Sequence, residues 1–218
     1  MNENLANSRY IAVEGPIGVG KSTLAKKLSE SLQADLLLEQ PKKNPFLARF
    51  YAKPRQYALP TQLFFLFQRL KQLQHSQQDD LFTAGRVADF ILEKDPLFAQ
   101  ITLDDDEYRL YQQVYTNLQI NVPKPDLVIY LQAPEDVLIK RINKRGIKYE
   151  KDMNPQYLRK LTDAYTAFFY RYDDSPLLIV NAADMNFVDN EVHYDALLER
   201  INSIQSGKNY FNPLIESL

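Results

Sequence analysis

Gly15-Pro16-Ile17-Gly18-Val19-Gly20-Lys21-Ser22-Thr23 is the stretch on which the reading of this chain turns. It matches G-x-x-x-x-G-K-[ST], follows the apolar run Tyr10–Val13, and leads into Leu24, Ala25, Leu28 and Leu32 at helical spacing. Strand, glycine loop, helix is the context this motif requires. The glycines let successive backbone N–H groups turn inward around a phosphate, and the helix N-terminus adds partial positive charge. The stretch therefore predicts a nucleoside triphosphate site built from Gly15, Ile17, Gly18, Val19, Gly20, Lys21, Ser22 and Thr23. Lys21 reaches the β- and γ-phosphates and the Ser22 hydroxyl ligates Mg²⁺. Three of the six glycines of the chain fall in this loop, which argues against a chance turn. The motif implies the cofactor and leaves the reaction open.

Composition narrows the class. A chain of 218 residues can bury a full core as one domain. Hydrophobic content of 45% and charged content of 25% are those of an ordinary globular protein. A net charge of −2 and a pI near 5.8 argue against a dedicated nucleic-acid binder, which carries a basic surplus. Without cysteine there is no disulfide framework and no thiolate metal site. The N-terminal MNENLANS lacks the apolar stretch of a signal peptide, and no apolar run approaches the roughly 20 residues of a membrane span. The expectation is a cytoplasmic protein without a membrane partner.

Working outward from the loop, five short apolar runs read as buried strands: Tyr10–Val13, Asp35–Leu38, Arg86–Phe90, Leu127–Leu131 and Leu177–Val180. Helical patterns separate them, near 22–33, 44–53, 57–75, 104–121, 134–145, 154–171 and 188–205. Such alternation predicts an α/β P-loop NTPase fold, a five-stranded parallel sheet with helices on both faces. It forms a single domain over 1–218, with a polar lid segment near 145–153. Ligands in such sheets gather at the carboxyl ends of the strands. The residues there are the phosphate loop, Glu39 and Asp89.

Phosphoryl transfer asks a protein mainly for positioning and charge neutralisation. A hydroxyl acceptor benefits from a carboxylate that takes its proton, and Glu39 stands at a strand end where it can do so. A solvated or capping carboxylate in Leu38-Glu39-Gln40-Pro41 is the plainer alternative. Asp89, flanked by Ala88 and Phe90, is costly to bury alone and fits a Mg²⁺ site shared with Ser22; an ordinary ion pair would also satisfy it. Arg141 and Arg145 share a helix face and open a run with six basic side chains between 140 and 151 against one acid, Glu150. Guanidinium forks there suit a phosphoryl group in transit, although a solvated basic helix reads the same way. In the aromatic stretch Tyr57–Leu73, Gln62 and Arg69 lie two turns apart and could read a nucleobase edge or simply face solvent. His75 and His193 have no partners at catalytic or metal spacing.

Beyond the loop, the chain resembles the deoxynucleoside kinase family, especially its bacterial deoxyguanosine and deoxyadenosine kinases. The resemblance runs over almost the whole chain and rests on ordered blocks. These are Ile11–Gly18, Glu39 with Asn44-Pro45-Phe46-Leu47 and Phe50-Tyr51, Gln62 and Arg69, Ala88-Asp89-Phe90, and Leu97-Phe98-Ala99. Pro123-Lys124-Pro125, Ile129-Tyr130-Leu131, and Arg141 with Lys144-Arg145-Gly146 complete the set. It implies an ATP-dependent kinase of the 5′-hydroxyl of a purine deoxynucleoside, acting in nucleotide salvage with Mg²⁺ and typically dimeric. By the same resemblance Glu39 is the general base, Tyr51 and Glu150 hold the sugar 3′-hydroxyl, and Gln62, Arg69 and Asp95 meet the base. Asp89 is the acid of the E-R-S or D-R-S motif, Arg141 and Arg145 are lid arginines on the donor phosphates, and Asn181–Phe187 packs on the donor adenine. Two positions depart from the pattern. Phe90 stands where many members carry an arginine near the reacting phosphate, with Lys94 one candidate for the missing charge. Ile147 stands where relatives often place another lid arginine, and Lys148 could substitute.

Two further readings share these features. A nucleoside monophosphate kinase of thymidylate kinase type has the same loop, lid and sheet but needs basic residues at the acceptor, and Lys42, Lys43 and Arg49 follow Glu39. A P-loop switch should carry N-K-x-D, whereas Asn143-Lys144-Arg145-Gly146 lacks the aspartate.

Overall fold

The structure is a computed structural model that describes residues 9–79, 85–118, 122–184 and 190–212. Among these residues six parallel strands form one sheet in the order β2-β3-β1-β4-β5-β6. They are β1 Tyr10–Glu14, β2 Asp35–Leu37, β3 Arg86–Ala88, β4 Leu127–Gln132, β5 Leu177–Asn181 and β6 Lys208–Phe211. The helices are α1 Lys21–Leu32, α2 Leu47–Ala52, α3 Pro54–Asp79, α4 Asp95–Thr102, α5 Asp105–Asn117, α6 Glu135–Arg145, α7 Pro155–Arg171 and α8 Glu191–Ser203. Short 3₁₀ turns occupy Pro41–Lys43 and Lys148–Asp152.

Central strands form where apolar residues run without interruption. All five residues of β1 are buried, as are the first five of β4, because both faces of the sheet are covered. On one face Leu24, Ala25, Leu28 and Leu32 of α1 pack with Leu138 and Ile142 of α6 and Leu197 and Ile201 of α8. On the other, Leu66, Leu70 and Leu73 of α3 pack with Tyr111 of α5 and Leu161, Tyr165 and Phe169 of α7. A small third cluster, Leu47, Phe50 and Ala58, joins α2 to α3. Asp104 and Glu107 close a capping box on α5, and prolines open α3 and α7 at positions where a missing N–H costs nothing.

Three expectations need correction. The sheet has six strands rather than five. β6 alternates exposed and covered residues at one edge, so its sequence carries no apolar run. β2 is not a buried strand: it forms the opposite edge, with Asp35 and Leu36 exposed. The third run yields a strand only to Ala88, and the segment after it enters α4, an eight-residue helix too short to show a clear periodicity. Residues 119–121 and 188–189 of the expected helices lie outside the described residues.

The chain leaves β1 toward the β2 edge and later crosses β1 to reach β4. The strand order therefore reverses at β1, which places the crevice above the carboxyl end of β1.

Candidate active site

A cavity of about 970 Å³ opens at this edge. The phosphate loop from Ile17 to Thr23 forms one wall, with Glu39, Asp89 and Lys94 on the floor and Tyr51, Gln62, Phe65 and Arg69 on the far side. Arg141, Arg145 and Glu150 form its rim. The loop takes its shape from backbone that only glycine tolerates. Gly15 lies at φ +146°, and a Cβ there would meet the Leu131 carbonyl oxygen at 2.5 Å; Gly18 lies at φ +86°, where a Cβ would stand 2.8 Å from Ile142 Cγ1. Lys21 donates to the carbonyls of Gly15 at 2.7 Å and Pro16 at 3.2 Å. Burial, then the nearby Lys94 charge, lowers its pKa.

The Ser22 hydroxyl donates to Asp89 Oδ2 at 2.5 Å, and the Glu39 backbone N–H donates to Asp89 Oδ1 at 2.6 Å. Burial and the neighbouring Glu39 charge raise the Asp89 pKa. A hydroxyl and a carboxylate oxygen converging at the foot of the phosphate loop suit a hard cation that draws its other ligands from phosphate and water. No group of three or more His, Asp or Glu among the described residues forms a metal cage of its own.

Glu39 is the centre of the charged floor. Arg69 donates to its Oε1 from Nε at 2.7 Å and lies at 2.5 Å through Nη2; Lys94 Nζ stands 3.2 Å from the same oxygen. Burial opposes its ionisation, but Arg69, Lys94 and Lys21 outweigh that and hold the carboxyl down at about 2. All these side-chain contacts fall on Oε1, so the other carboxylate oxygen is turned to the cavity that Glu39 lines. Arg69 also pairs through Nη1 with Asp95, whose other oxygen accepts from Tyr111 at 2.6 Å.

The other sequence-predicted residues fall as follows. Gln62 lines the cavity and donates to Thr102 Oγ1 at 3.1 Å. Tyr51 stacks on Tyr149 with centroids 5.7 Å apart; burial, then Tyr157 and Glu150, raise its pKa. The Arg145 guanidinium forks onto Glu150, with its Nη2 2.7 Å from both carboxylate oxygens. Arg141 donates to the carbonyls of Val19, Ala182 and Ala183, tying α6 to the phosphate loop and to the segment after β5. Residues 185–187 of the expected adenine loop lie outside the described residues, and of Lys151 only the backbone is described.

Asp95 is placed differently from expectation. It is fully buried behind Arg69 and off the cavity wall, so its carboxylate orients Arg69 rather than meeting the cavity. Phe90 is equally buried and packs in the core, so no charge could act from that position. Sequence reasoning missed Glu14 and Tyr165. Glu14 is 0% exposed and accepts from Gly15 N, Ile91 N, Lys94 Nζ and the Tyr165 hydroxyl. A carboxylate closing an otherwise apolar buried strand was the available signal.

Comparison with known proteins shows the family. The deoxynucleoside kinase family matches residues 11–206. Deoxyguanosine kinase of Bacillus subtilis is 31% identical over 201 residues, covering 89% of this chain and 97% of that one. Deoxyadenosine kinase of Dictyostelium discoideum is 34% identical over 191 residues, covering 84% and 75%. Among solved structures, deoxyadenosine kinase from M. mycoides with the products dCMP and dCDP superposes with a TM-score of 0.79 at 27% identity, covering 89% of this chain and all of that one. A second structure of that enzyme, with dATP bound, gives 0.77. A phosphate loop facing an ion-paired carboxylate across one cavity, in a chain matched along most of its length, makes this protein a member of the deoxynucleoside kinase family and hence a phosphotransferase with an alcohol acceptor.

Proposed function

We propose that the protein transfers the γ-phosphoryl group of ATP to the 5′-hydroxyl of a purine deoxynucleoside, deoxyguanosine or deoxyadenosine, in nucleotide salvage. The observation that carries this reading is Glu39: a carboxylate held down at about 2, lining the same cavity as Lys21, with its Oε1 engaged by two cations and its other oxygen left to accept from a hydroxyl. A monophosphate acceptor, already anionic, would be repelled there.

In this mechanism the hydroxyl donates to the free oxygen of Glu39. The new O5′–P bond forms as the bond from Pγ to its bridging oxygen breaks, and the hydroxyl proton passes to Glu39. A carboxyl near pKa 2 is a weak base at rest. It suffices because the hydroxyl becomes acidic only as it bonds to phosphorus, late in a loose transition state. Lys21 follows the charge on the β- and γ-phosphates, and Arg141 and Arg145 close from the rim. Tyr51 and Glu150 hold the sugar, and Gln62 and Arg69 meet the base with Asp95 behind them. Ser22 and Asp89 would hold Mg²⁺, which when bound with the nucleotide offsets phosphate charge. The protein is expected to work as a homodimer in the cytoplasm. No helix of the described residues is long and apolar enough to cross a membrane.

The test is ADP release with Mg-ATP against four deoxynucleosides, the matching ribonucleosides and their monophosphates. Turnover with deoxyguanosine or deoxyadenosine and none with monophosphates supports the reading. Turnover only with monophosphates removes Glu39 from its role.

A further inference from the structure

Lys94 shares Glu39 Oε1 with Arg69, and the proposed mechanism gives it no contact with substrate. It is 1% exposed, yet it lines the cavity, and although it stands at the N-cap of α4 its side chain makes no cap. Burying an ammonium is costly unless it is paired. Two carboxylates offset that cost: Glu14 Oε1 at 2.9 Å and Glu39 Oε1 at 3.2 Å. Burial opposes its charge, but these two partners keep it protonated.

Glu14 is what fixes this lysine. Besides Lys94, it accepts from Ile91 N at 2.8 Å, from Gly15 N at 3.1 Å and from the Tyr165 hydroxyl at 3.0 Å. Those donors come from the segment after β3, the first residue of the phosphate loop, and α7. Both oxygens of Glu14 are engaged and neither is exposed, so the carboxylate has no second arrangement available. The contacts form one chain: phosphate loop, Glu14, Lys94, Glu39. Arg69, anchored by Asp95 and Tyr111, reaches the same oxygen of Glu39.

We propose that Lys94, anchored by Glu14, is a positioning residue for phosphoryl transfer: it fixes Glu39 relative to the phosphate loop, so that acceptor oxygen and donor phosphate meet in line. This rests on Glu39 receiving the acceptor proton. The expected signature is loss of turnover without loss of binding. Without Lys94, Glu39 keeps Arg69 and the substrate contacts lie elsewhere, but the distance across the cavity is no longer set. A misplacement near 1 Å costs about 10²-fold in rate.

Lys94→Met, Lys94→Arg, Glu14→Gln and the Lys94→Met/Glu14→Gln pair are compared with wild type in steady-state kinetics, with ATP and the preferred deoxynucleoside. Circular dichroism and calorimetric ATP binding monitor folding. Lys94→Met should lower kcat by about 10²-fold with both KM values within about threefold of wild type. Lys94→Arg should recover most of that loss, and Glu14→Gln should lower kcat in the same direction. The double variant should be no slower than Lys94→Met alone, because the two residues act through one contact. A Lys94→Met kcat within about threefold of wild type, or effects of the two substitutions that multiply in the double variant, overturns the proposal. Should Lys94→Met fail to fold, an unchanged kcat in Glu14→Gln overturns it, and a fall in kcat with both KM values within about threefold of wild type supports it. If wild type phosphorylates no deoxynucleoside, the proposed function fails separately. A stability cycle of Lys94→Met with Glu39→Gln then decides: strict additivity overturns the link, and coupling supports it.

Discussion

Glu39 carries the argument at the scale of single residues. Its oxygens divide the work, one saturated by Arg69 and Lys94 and the other turned to the cavity. Glu39→Gln keeps the shape and removes the proton acceptor, so kcat should fall by roughly 10²–10⁴-fold with little change in nucleoside KM. Near-wild-type turnover would end its assignment as base. The same carboxylate has a pH signature. Its folded pKa, about 2, lies below the ordinary range, so its stabilising contribution is complete above roughly pH 4.5 and disappears as pH falls through the folded value. Urea unfolding should therefore show wild type more stable than Glu39→Gln at pH 7, with the gap narrowing as pH falls from about 4.5 toward about 2. A gap that stays constant on acidification would mean the ion pairs contribute nothing. Glu39, Lys21, Ser22 and Asp89 were legible because a motif or a strand end marks them. Glu14 carried the same strand-end mark, but its role became readable only when Lys94, Tyr165 and Ile91 converged on it from far along the chain.

Among elements, the phosphate loop with α1 was readable and the sheet edges were not. Gly18→Ala tests how tightly the loop is drawn. The φ of +86° and the approach to Ile142 forbid a Cβ without movement. Strain of about 1–3 kcal/mol should weaken ATP binding roughly 5- to 150-fold, as calorimetry with Mg-ATP would show. Unchanged affinity would mean that the loop reshapes freely. Leu28 lies fully buried in the stripe of α1 that packs under the sheet. Leu28→Ala should cost about 2–5 kcal/mol in urea unfolding without altering the site's own contacts. β6 escaped the reading, and β2, found where expected, was taken as buried, for one reason. An edge strand covers fewer of its side chains than its sequence alone reveals, whereas β1 and β4 are covered on both faces. The short α4 was hidden because eight residues hold barely two turns of periodicity.

At the scale of the whole molecule, the site is a crevice between layers rather than a feature of any one of them. Loop, strand ends, α3, α6 and the 3₁₀ turn at Lys148–Asp152 all line one cavity. Ligands that fill it should bind the folded state alone. Mg-ATP or the preferred deoxynucleoside at 100 times its Kd should stabilise the fold by about 2.7 kcal/mol, a rise of roughly 5–11 °C in Tm. A scan without a shift at saturating ligand would place binding elsewhere. What the sequence determined by itself is local: the phosphate loop, the alternation of buried strands and helices, and the candidate acids and arginines, all written in short-range spacing. Tertiary structure alone decided which of these touch. It set Asp95 behind Arg69 and Phe90 in the core, paired Arg145 with Glu150, and tied Glu14 through Lys94 to Glu39. Burial and Coulomb attraction depend on distances between residues far apart in the chain, and those distances exist only once the sheet has brought its strand ends together.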